Sequence, residues 1–451
     1  MSLHDNADIP VTTLSGAEEF LNRIPYFTKK HPPAHTKALL RALGDPQESF
    51  RVIHVAGSNG KGSVCSFLFH ILKEAGCKAG LFVSPHLTDL RERFVTTDGM
   101  VSEADFLEAF EAVRGQAEHM EAAGEEYPTY FEFLFAVGML LFQKAGIEIA
   151  VVETGMGGRL DCTNIIEKPL ACVITSVSLE HQQYLGDTIQ QIAAEKAGII
   201  KQGVQLVYDG NDPKAAAVIR EQAGRMRAPA CMVTKEDVFV RRQTENGIEF
   251  CLRSIYDRDT MQCGERVWYI PFCARYQAMN AALAVTACRI CFPDMEPDVI
   301  ADGLAHTCWP GRMQQLLSGI WLDGAHNPDG IRGFAETVRD LCAGDPAQPS
   351  LLFSMVGGKD YAQAVRLLCE DITWKTVILT RIPSERGMDP GILQREFLKN
   401  GHTDVHMIDS CAEALAHLAA QRGPQEKAFC AGSLYFAGAL LKEVEKQHAE
   451  F

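Results

Sequence analysis

Residues 52–63 read VIHVAGSNGKGS, a short β-branched run followed by three glycines and a lysine. A helical pattern begins near Ser63 and continues to Ala75, so a glycine-rich turn joins a predicted strand to a predicted helix. Glycines let backbone N–H groups converge on phosphate oxygens, the helix amino terminus adds positive potential, Lys61 adds a charge, and the Ser63 hydroxyl can bind Mg²⁺. The general pattern G-x-x-x-x-G-K-[ST] is not met, because Gly62 separates Lys61 from Ser63. The residues favour a nucleotide phosphate site, with a plain strand-to-helix turn as the alternative.

Strand and helix patterns alternate on the carboxyl side of this stretch. Further apolar runs lie at residues 79–83, 149–153, 172–177, 204–208 and 230–233, with helical segments between them. Strands separated by helices predict βαβ units, and hence a mostly parallel sheet with helices on both faces. Residues 238–270 instead alternate in short stretches around Asn246-Gly247, which predicts an antiparallel hairpin.

A second series of strand patterns follows a turn cluster at residues 309–312, WPGR. A helix predicted over residues 277–291 ends before this cluster, at Phe292-Pro293. The later strand patterns lie at 320–323, 351–355, 376–380, 404–408 and 427–431. The length of 451 residues allows about three domains of roughly 150 residues, or two larger ones. We predict an α/β chain with a P-loop-containing, mostly parallel sheet domain over residues 1–308 and a smaller Rossmann-like α/β domain over 309–451.

Charge and hydropathy exclude several classes of partner. Lys and Arg number 43 against 58 Asp and Glu, and this net charge of −15 disfavours nonspecific binding to nucleic acid or anionic lipid. The longest uncharged apolar run, residues 133–142, is shorter than the roughly 20 residues of a membrane span. Residues 1–8 are polar and acidic, unlike a signal peptide. We therefore expect a cytoplasmic monomer with no nucleic-acid or membrane partner, whose 15 cysteines, including Cys288 and Cys291, are reduced and packed.

Other polar clusters stand where predicted strands end. Ser84, before Pro85, could offer a hydroxyl to a metal near the phosphates, although a Ser-Pro turn is the simpler interpretation. Glu153 precedes a glycine-rich loop, and its carboxylate is equally compatible with binding Mg²⁺ and with an ordinary surface position. Three further groups read, on their own, as ordinary structural features: Glu180-His181, the last-turn lysine Lys196, and the polar turn from Asp323 to Asn327.

Taken together, these strings resemble one known family. They are HVAGSNGKGS at 54–63, SPHL at 84–87, GMGGRLDCTN at 155–164, GDT at 186–188, AEKAG at 194–198, WPGR at 309–312 and LDGAHNP at 322–328. In this order, and over almost the whole chain, they resemble the folylpolyglutamate synthase/dihydrofolate synthase family of the Mur ligase superfamily. The resemblance implies an ATP-dependent amide ligase of folate biosynthesis and one-carbon metabolism. ATP would phosphorylate the carboxylate of a folate or dihydropteroate, and the amine of L-glutamate would attack the acyl phosphate.

The resemblance also implies a role for each motif residue. The phosphates of ATP would lie on Gly57, Asn59, Gly60, Lys61, Gly62 and Ser63. Two Mg²⁺ ions would be held by Ser63, Ser84, Glu153, His181 and a carbamylated Lys196. A carbamate would attract the second ion, whereas an ammonium would repel it.

The second half of the chain would complete the ATP site. By the same resemblance, Arg312, Asp323 and His326 close over ATP, and Asn280 contacts adenine. The catalytic residues would be Lys61, Lys196, His181 and His326. Phe131 would stack on the pterin and Asp161 would hydrogen-bond to it. Three residues depart from the family pattern: Glu180 stands in place of Asp, Tyr276 in place of His and Ser58 in place of Thr.

Two other hypotheses remain open at this point. The chain could be a Mur-type ligase that acts on a non-folate acid, although such ligases would lack the folate-type strings at 84–87 and 195–198. It could also be a non-catalytic nucleotide-binding regulator. The residues do not separate the addition of the first glutamate to dihydropteroate from the extension of folate chains.

Overall fold

The structure is a computed structural model that describes residues 11–24, 31–253, 263–384 and 386–449. Its first sheet contains β1 (Arg51–Ala56), β2 (Ala79–Phe82), β3 (Phe94–Thr96), β4 (Gly99–Met100), β5 (Ile149–Glu153), β6 (Ala171–Ile174), β7 (Gln205–Asp209) and β8 (Ala230–Val233). The accompanying helices are α1 (Leu14–Arg23), α2 (Pro33–Ala42), α3 (Lys61–Glu74), α4 (Glu103–Ala122), α5 (Tyr130–Lys144), α6 (Gln182–Leu185), α7 (Ile189–Ala197) and α8 (Pro213–Arg225).

The strand order of this sheet is β4-β3-β2-β5-β1-β6-β7-β8. The six strands from β2 to β8 pair in parallel, while β3 and β4 form an antiparallel edge beside β2. Successive residues of β1 pack into different cores, because side chains alternate across a strand: Val52 packs with α4 and α5, and Ile53 with α3. The predicted parallel sheet with helices on both faces is confirmed.

A small antiparallel sheet and two helices follow. The strands are β9 (Val238–Thr244), β10 (Gly247–Arg253) and β11 (Cys263–Ile270), in the order β11-β10-β9. β9 and β10 form the hairpin predicted at Asn246-Gly247. The helices are α9 (Arg275–Cys291), which ends just before Phe292-Pro293 as predicted, and α10 (Pro297–Ala305). Cys288 is fully buried in α9.

The last part of the chain forms a second sheet. Its strands are β12 (Gln314–Leu317), β13 (Ile320–Leu322), β14 (Ser350–Phe353), β15 (Val377–Leu379), β16 (Val405–Met407) and β17 (Ala428–Ala431), in the order β12-β13-β17-β14-β15-β16. All pair in parallel except β12 with β13. The helices are α11 (Pro328–Cys342), α12 (Tyr361–Asp371), α13 (Pro390–Lys399), α14 (Cys411–Gln421) and α15 (Leu434–Ala449). The predicted second α/β domain is confirmed, and its exact boundary after residue 308 stays a prediction.

The two sheets meet at the loops that follow their parallel strands. Gly438 of α15 lies so close to the carbonyl of Leu87 that a side chain there would overlap it. A cleft of about 1150 Å³ opens between these loops. Ligands of open parallel sheets bind at the carboxyl ends of the strands, so the fold places the cleft where a site is expected. Among the described residues, no helix combines the length and apolar character needed to cross a membrane.

Candidate active site

The cleft brings most of the predicted site residues together. Its lining includes Asn59, Gly60, Lys61, Gly62, Ser63, Ser84, Phe131, Glu153, Asp161, His181, Asn280, Arg312, Asp323 and His326. Gly57 and Lys196 lie behind this surface, where the Lys196 ammonium donates to the Gly57 carbonyl at 2.7 Å. The motifs are thus neighbours in space, although they are spread over some 270 residues of the chain.

The glycine-rich turn is held in a fixed shape at the start of α3. Gly60 has a φ of 86°, and a Cβ there would overlap the Asn280 amide, so glycine is required on both counts. The Lys61 ammonium donates to the carbonyls of Gly57 at 3.1 Å and Ser58 at 3.2 Å. Because Gly60 has no side chain to cap α3, the first N–H groups of this helix are available to an anion. The geometry is that of a phosphate-binding loop.

Glu153 supplies a buried carboxylate beside this loop. One of its oxygens accepts the Ser84 backbone N–H at 3.1 Å, and the other lies 3.9 Å from the Lys61 ammonium. Burial raises the pKa of Glu153, and the charge of Lys61 offsets this only in part. Ser63, in the first turn of α3, accepts a bond from the Gln277 side chain at 3.1 Å. A buried carboxylate with neighbouring hydroxyls is a hard oxygen donor set, which fits Mg²⁺.

Lys196 forms a buried ion pair next to His181. Its side chain has no exposed surface, and its ammonium lies 2.7 Å from the Glu180 carboxylate. Burial alone would raise the pKa of Glu180, but the charges of Lys196 and Lys61 lower it to about 2. Burial lowers the pKa of His181 to about 4, so its ring is neutral at pH 7. As an ammonium, Lys196 neutralises Glu180 and offers no ligand atom to a metal; its carbamylation stays a prediction.

The opposite wall is built around Asp323, directly after β13. Its carboxylate accepts bonds from the Tyr276 hydroxyl at 2.7 Å and from the backbone N–H groups of Met313 and Ala325. Burial raises the pKa of Asp323, and the Arg312 guanidinium opposes this rise. Tyr276, noted in the sequence only as a departure from a common His, thus ties α9 of the first domain to Asp323 of the second.

A second contact crosses the cleft at the phosphate-binding loop. The Asn59 amide donates to Asp329 at 2.8 Å and accepts from the Asn327 amide at 2.9 Å. Asn327 also caps α11 by accepting the Gly330 N–H at 2.8 Å. From the sequence alone, the polar turn ending at Asn327 was an ordinary structural feature, with no sign that it would reach residue 59. These bonds place the second domain directly on the loop.

His326 follows Asp323 and is oriented by a backbone bond. Its Nδ1 lies 2.9 Å from the Gly324 carbonyl, which can only accept, so Nδ1 carries the proton and Nε2 is an acceptor in the neutral ring. Burial lowers the pKa of His326 to about 4, which keeps the ring neutral at pH 7. Lys359 and Arg386, which sequence reasoning did not single out, also line this wall.

The other end of the cleft is aromatic. Phe131, in the first turn of α5, lies against Gly155, where a Cβ would come within 2.5 Å of the Phe131 ring. Asp161 is turned toward its own loop, because it accepts bonds from the Met156 N–H and from both the N–H and hydroxyl of Thr163. These three bonds leave about one of its four lone-pair positions for a ligand. Both predicted pterin residues therefore lie at the same end of the cleft.

Comparisons with known proteins agree with this geometry. Residues 55–288 match the family model of the Mur ligase middle domain, and residues 311–434 match that of the Mur ligase glutamate ligase domain. The chain is 31% identical over 432 residues to the folylpolyglutamate synthase of Lacticaseibacillus casei, which covers 93% of this chain and 96% of that protein. It is 34% identical over 424 residues to a probable bifunctional folylpolyglutamate synthase/dihydropteroate synthase of Haloferax volcanii, covering 93% of this chain but only 49% of that longer protein.

A solved structure shares the fold over nearly the whole length. The folylpolyglutamate synthase of Mycobacterium tuberculosis, complexed with ADP and AMPPCP, superimposes with a TM-score of 0.84 at 27% identity. The match covers 96% of this chain and 98% of that one.

Proposed function

The chain belongs to the folylpolyglutamate synthase and dihydrofolate synthase family of Mur ligases, and from this membership we propose how its cleft performs the reaction. It is an ATP-dependent ligase that joins L-glutamate to the carboxylate of a folate-type acid. The observation that carries the residue assignments is the cleft itself, which sets the phosphate-binding loop and Glu153 on one wall and Arg312 and His326 on the other. Membership favours this activity over a ligase for another acid and over a non-catalytic regulator.

The first step is the transfer of the γ-phosphoryl group of ATP to the acid. A carboxylate oxygen attacks the γ-phosphorus while the bond to the bridging oxygen breaks, which yields an acyl phosphate and ADP. This chemistry needs positioning and charge neutralisation more than covalent help. The backbone of residues 59–63 holds the phosphates, and Lys61, already directed at this loop by two carbonyls, balances the developing charge. Ser63, Glu153 and Ser84 would hold Mg²⁺, which would supply further charge neutralisation.

The second step is the attack of the glutamate amine on the acyl carbon. Phosphate leaves as the C–N bond forms, and the proton that the amine loses is taken up by the departing phosphate. His326 presents an unprotonated Nε2 on the second wall, so it accepts a hydrogen bond from the incoming amine. The carboxylates of glutamate need cations, and Lys359 and Arg386 provide them on the same wall.

Closure of the second domain completes the ATP site. Arg312 neutralises the phosphates from that side, and Asn280, beside Gly60, contacts the adenine. The contacts of Tyr276 with Asp323 and of Asn59 with Asn327 already join the two walls. We therefore propose that catalysis requires this closed arrangement of the two walls.

We also propose that Lys196 is carbamylated in the active enzyme. Its neutral amine would add to CO₂ with the release of one proton, and the carbamate, together with His181, would serve a second Mg²⁺. The burial of Lys196 and its 2.7 Å contact with the loop carbonyl of Gly57 support this proposal. Lys196→Ala should abolish ligation, with partial recovery on addition of a small carboxylate. Full activity without any rescue would contradict the carbamate.

The function is tested by supplying dihydropteroate and tetrahydrofolate separately with ATP and glutamate, and measuring product chain length by mass spectrometry. Glutamylated product is expected with at least one acid, and its length separates the two activities of the family. Lys61→Ala should lose product formation by about 10³-fold, as for loss of a charge-stabilising group. Lys73→Ala, exposed at the other end of α3, is the matched control and should keep it.

Three further properties are proposals. The domain boundary lies after residue 308, between the end of α10 at Ala305 and the start of β12 at Gln314. The enzyme is a cytoplasmic monomer of 49.7 kDa, which light scattering of the purified chain would check.

A further inference from the structure

A cluster of two histidines and a glutamate lies at the aromatic end of the cleft, away from the phosphate-binding loop. His31 precedes α2, His35 lies in the first turn of α2, and Glu132 lies in the first turn of α5. Within the described part of the chain, these three form the group of His, Cys, Asp or Glu whose potential ligand atoms all lie within 4.8 Å of one another. Neither the phosphoryl transfer nor the amide formation uses them.

Both imidazole rings direct the same nitrogen at one carboxylate. Nδ1 of His31 lies 2.8 Å from one oxygen of Glu132, and Nδ1 of His35 lies 3.4 Å from the other. A tetrahedral ion with bonds of about 2.0–2.1 Å separates its ligand atoms by about 3.3 Å. The His35 distance matches this separation, and the potential ligand atoms of the three residues, one from each, all lie within 4.8 Å of one another.

The other nitrogen of each ring is bonded to Glu126. Nε2 of His31 lies 2.7 Å from the Glu126 carboxylate, and Nε2 of His35 lies 2.8 Å from the Glu126 backbone carbonyl. The Glu126 carboxylate and carbonyl can only accept hydrogen bonds, so both Nε2 atoms carry protons. In neutral rings, both Nδ1 atoms are then unprotonated and present a lone pair. Outer hydrogen bonds of this kind, to a carboxylate and a carbonyl, are those that orient metal-binding histidines.

The Nδ1 lone pairs of His31 and His35 therefore face the Glu132 carboxylate, which has no proton to donate to them. Glu132 is only 4% exposed, and it already accepts bonds from the Thr129 N–H and the Thr36 hydroxyl.

A single divalent cation satisfies all three acceptors at once. We propose that His31, His35 and Glu132 bind a zinc ion, distinct from the Mg²⁺ at the phosphates. Two neutral imidazoles and one carboxylate are a common zinc ligand set that leaves a fourth position open. His31 and Glu132 line the cleft beside Phe131, so this fourth ligand is a water molecule or a donor atom of the acid substrate. The ion would also fix α2 against the first turn of α5.

The test uses metal-free full-length protein and needs neither ATP nor a folate, so its outcome is independent of the proposed reaction. Calorimetric titration with ZnCl₂ in millimolar Mg²⁺, which occupies the oxygen-donor site, should show one ion bound with submicromolar Kd. X-ray absorption at the zinc edge should show nitrogen and oxygen ligands at about 2.0–2.1 Å and no sulfur near 2.3 Å, which excludes the cysteines.

His35→Gln should weaken zinc binding by at least about 100-fold, whereas His306→Gln is the matched control and should not change it. His306 pairs with Glu74 on the surface, and its side chain is 66% exposed. Glu126→Gln keeps the exposed loop intact and should weaken binding by about 10- to 100-fold, so it tests the site if His35→Gln fails to fold. Wild-type protein that binds no zinc below about 100 μM, sulfur ligation, or unaltered binding in Glu126→Gln would each overturn the proposal.

Discussion

Replacing Glu180 by Gln removes the counter-charge of Lys196, whose side chain is completely buried. The ammonium and carboxylate lie 2.7 Å apart, and the Glu180 side chain is only 9% exposed. We expect Glu180→Gln to lower the free energy of unfolding by about 3–5 kcal/mol at pH 7, because removing one partner leaves an uncompensated buried charge.

Two independent arguments bound this magnitude. Burial raises the pKa of Glu180, but Lys196 and Lys61 outweigh burial and hold it at about 2 instead of 4.5, which corresponds to about 3 kcal/mol at neutral pH. Because the pKa is lowered, this stabilisation is present above about pH 4.5 and is lost as the pH falls toward 2. In the variant, Lys196 can instead lose its proton. For a lysine with an ordinary pKa of about 10.4, deprotonation at pH 7 costs about 4.6 kcal/mol, which sets the upper end of the expected loss.

Urea unfolding in CO₂-free buffer measures the effect with Lys196 uncarbamylated in the wild-type protein and in Glu180→Gln. The double variant Glu180→Gln/Lys196→Met should recover most of the lost stability, because no unpaired charge remains. Glu195→Gln, in the same helix α7 as Lys196, is the control. Because its partner Arg159 is 56% exposed, this change should alter the free energy of unfolding by less than about 1 kcal/mol. A loss below about 1 kcal/mol in Glu180→Gln, or a double variant as unstable as the single one, would refute the reasoning.

Three other changes test separate parts of the structure. Arg312→Ala should raise the KM for ATP at least about tenfold with an unchanged circular dichroism spectrum, since it removes one charge-assisted contact; an unaltered KM would remove Arg312 from the ATP site. Gly155→Ala should raise the KM for the acid about tenfold but not that for ATP, because the new methyl group would lie 2.5 Å from the Phe131 ring; equal changes in both constants would contradict this division of the cleft. Burial lowers the pKa of His54 to about 3, so below pH 7 the ring binds a proton in the unfolded chain but not in the folded one. The free energy of unfolding should therefore fall by about 2 kcal/mol between pH 7 and pH 5. His54→Gln should flatten that decline, and a decline of the same size in the variant would show that other groups cause it.

The regular elements of both sheets were predictable because local patterns specify them. The strands predicted at 149–153 and 230–233 coincide with β5 and β8, and helix α9 ends at the predicted Cys291. The strands β3, β4 and β12 were not predicted. They are two to four residues long, and they pair antiparallel at sheet edges, so contact with a neighbouring strand defines them more than their own sequence does.

Much of the cleft was predictable because its motifs follow strands that end at one edge. The contacts across the cleft were not. Asn59 and Asn327 are 268 residues apart, and Tyr276 and Asp323 are 47 apart, so their bonds depend on how the two sheets approach each other. The burial of Lys196 could not be predicted for the same reason. It reads as an ordinary last-turn lysine in the sequence, and it contacts Glu180 only because α7 packs on the sheet.

The central claim is that this cleft couples ATP consumption to the joining of a folate-type acid and L-glutamate. The most direct measurement is the release of ADP by the purified chain with ATP and Mg²⁺, with the acid and glutamate added singly and together. We predict sustained ADP release, in step with glutamylated product, only when both substrates are present. Equal ATP turnover in the absence of either substrate would contradict the ligase mechanism.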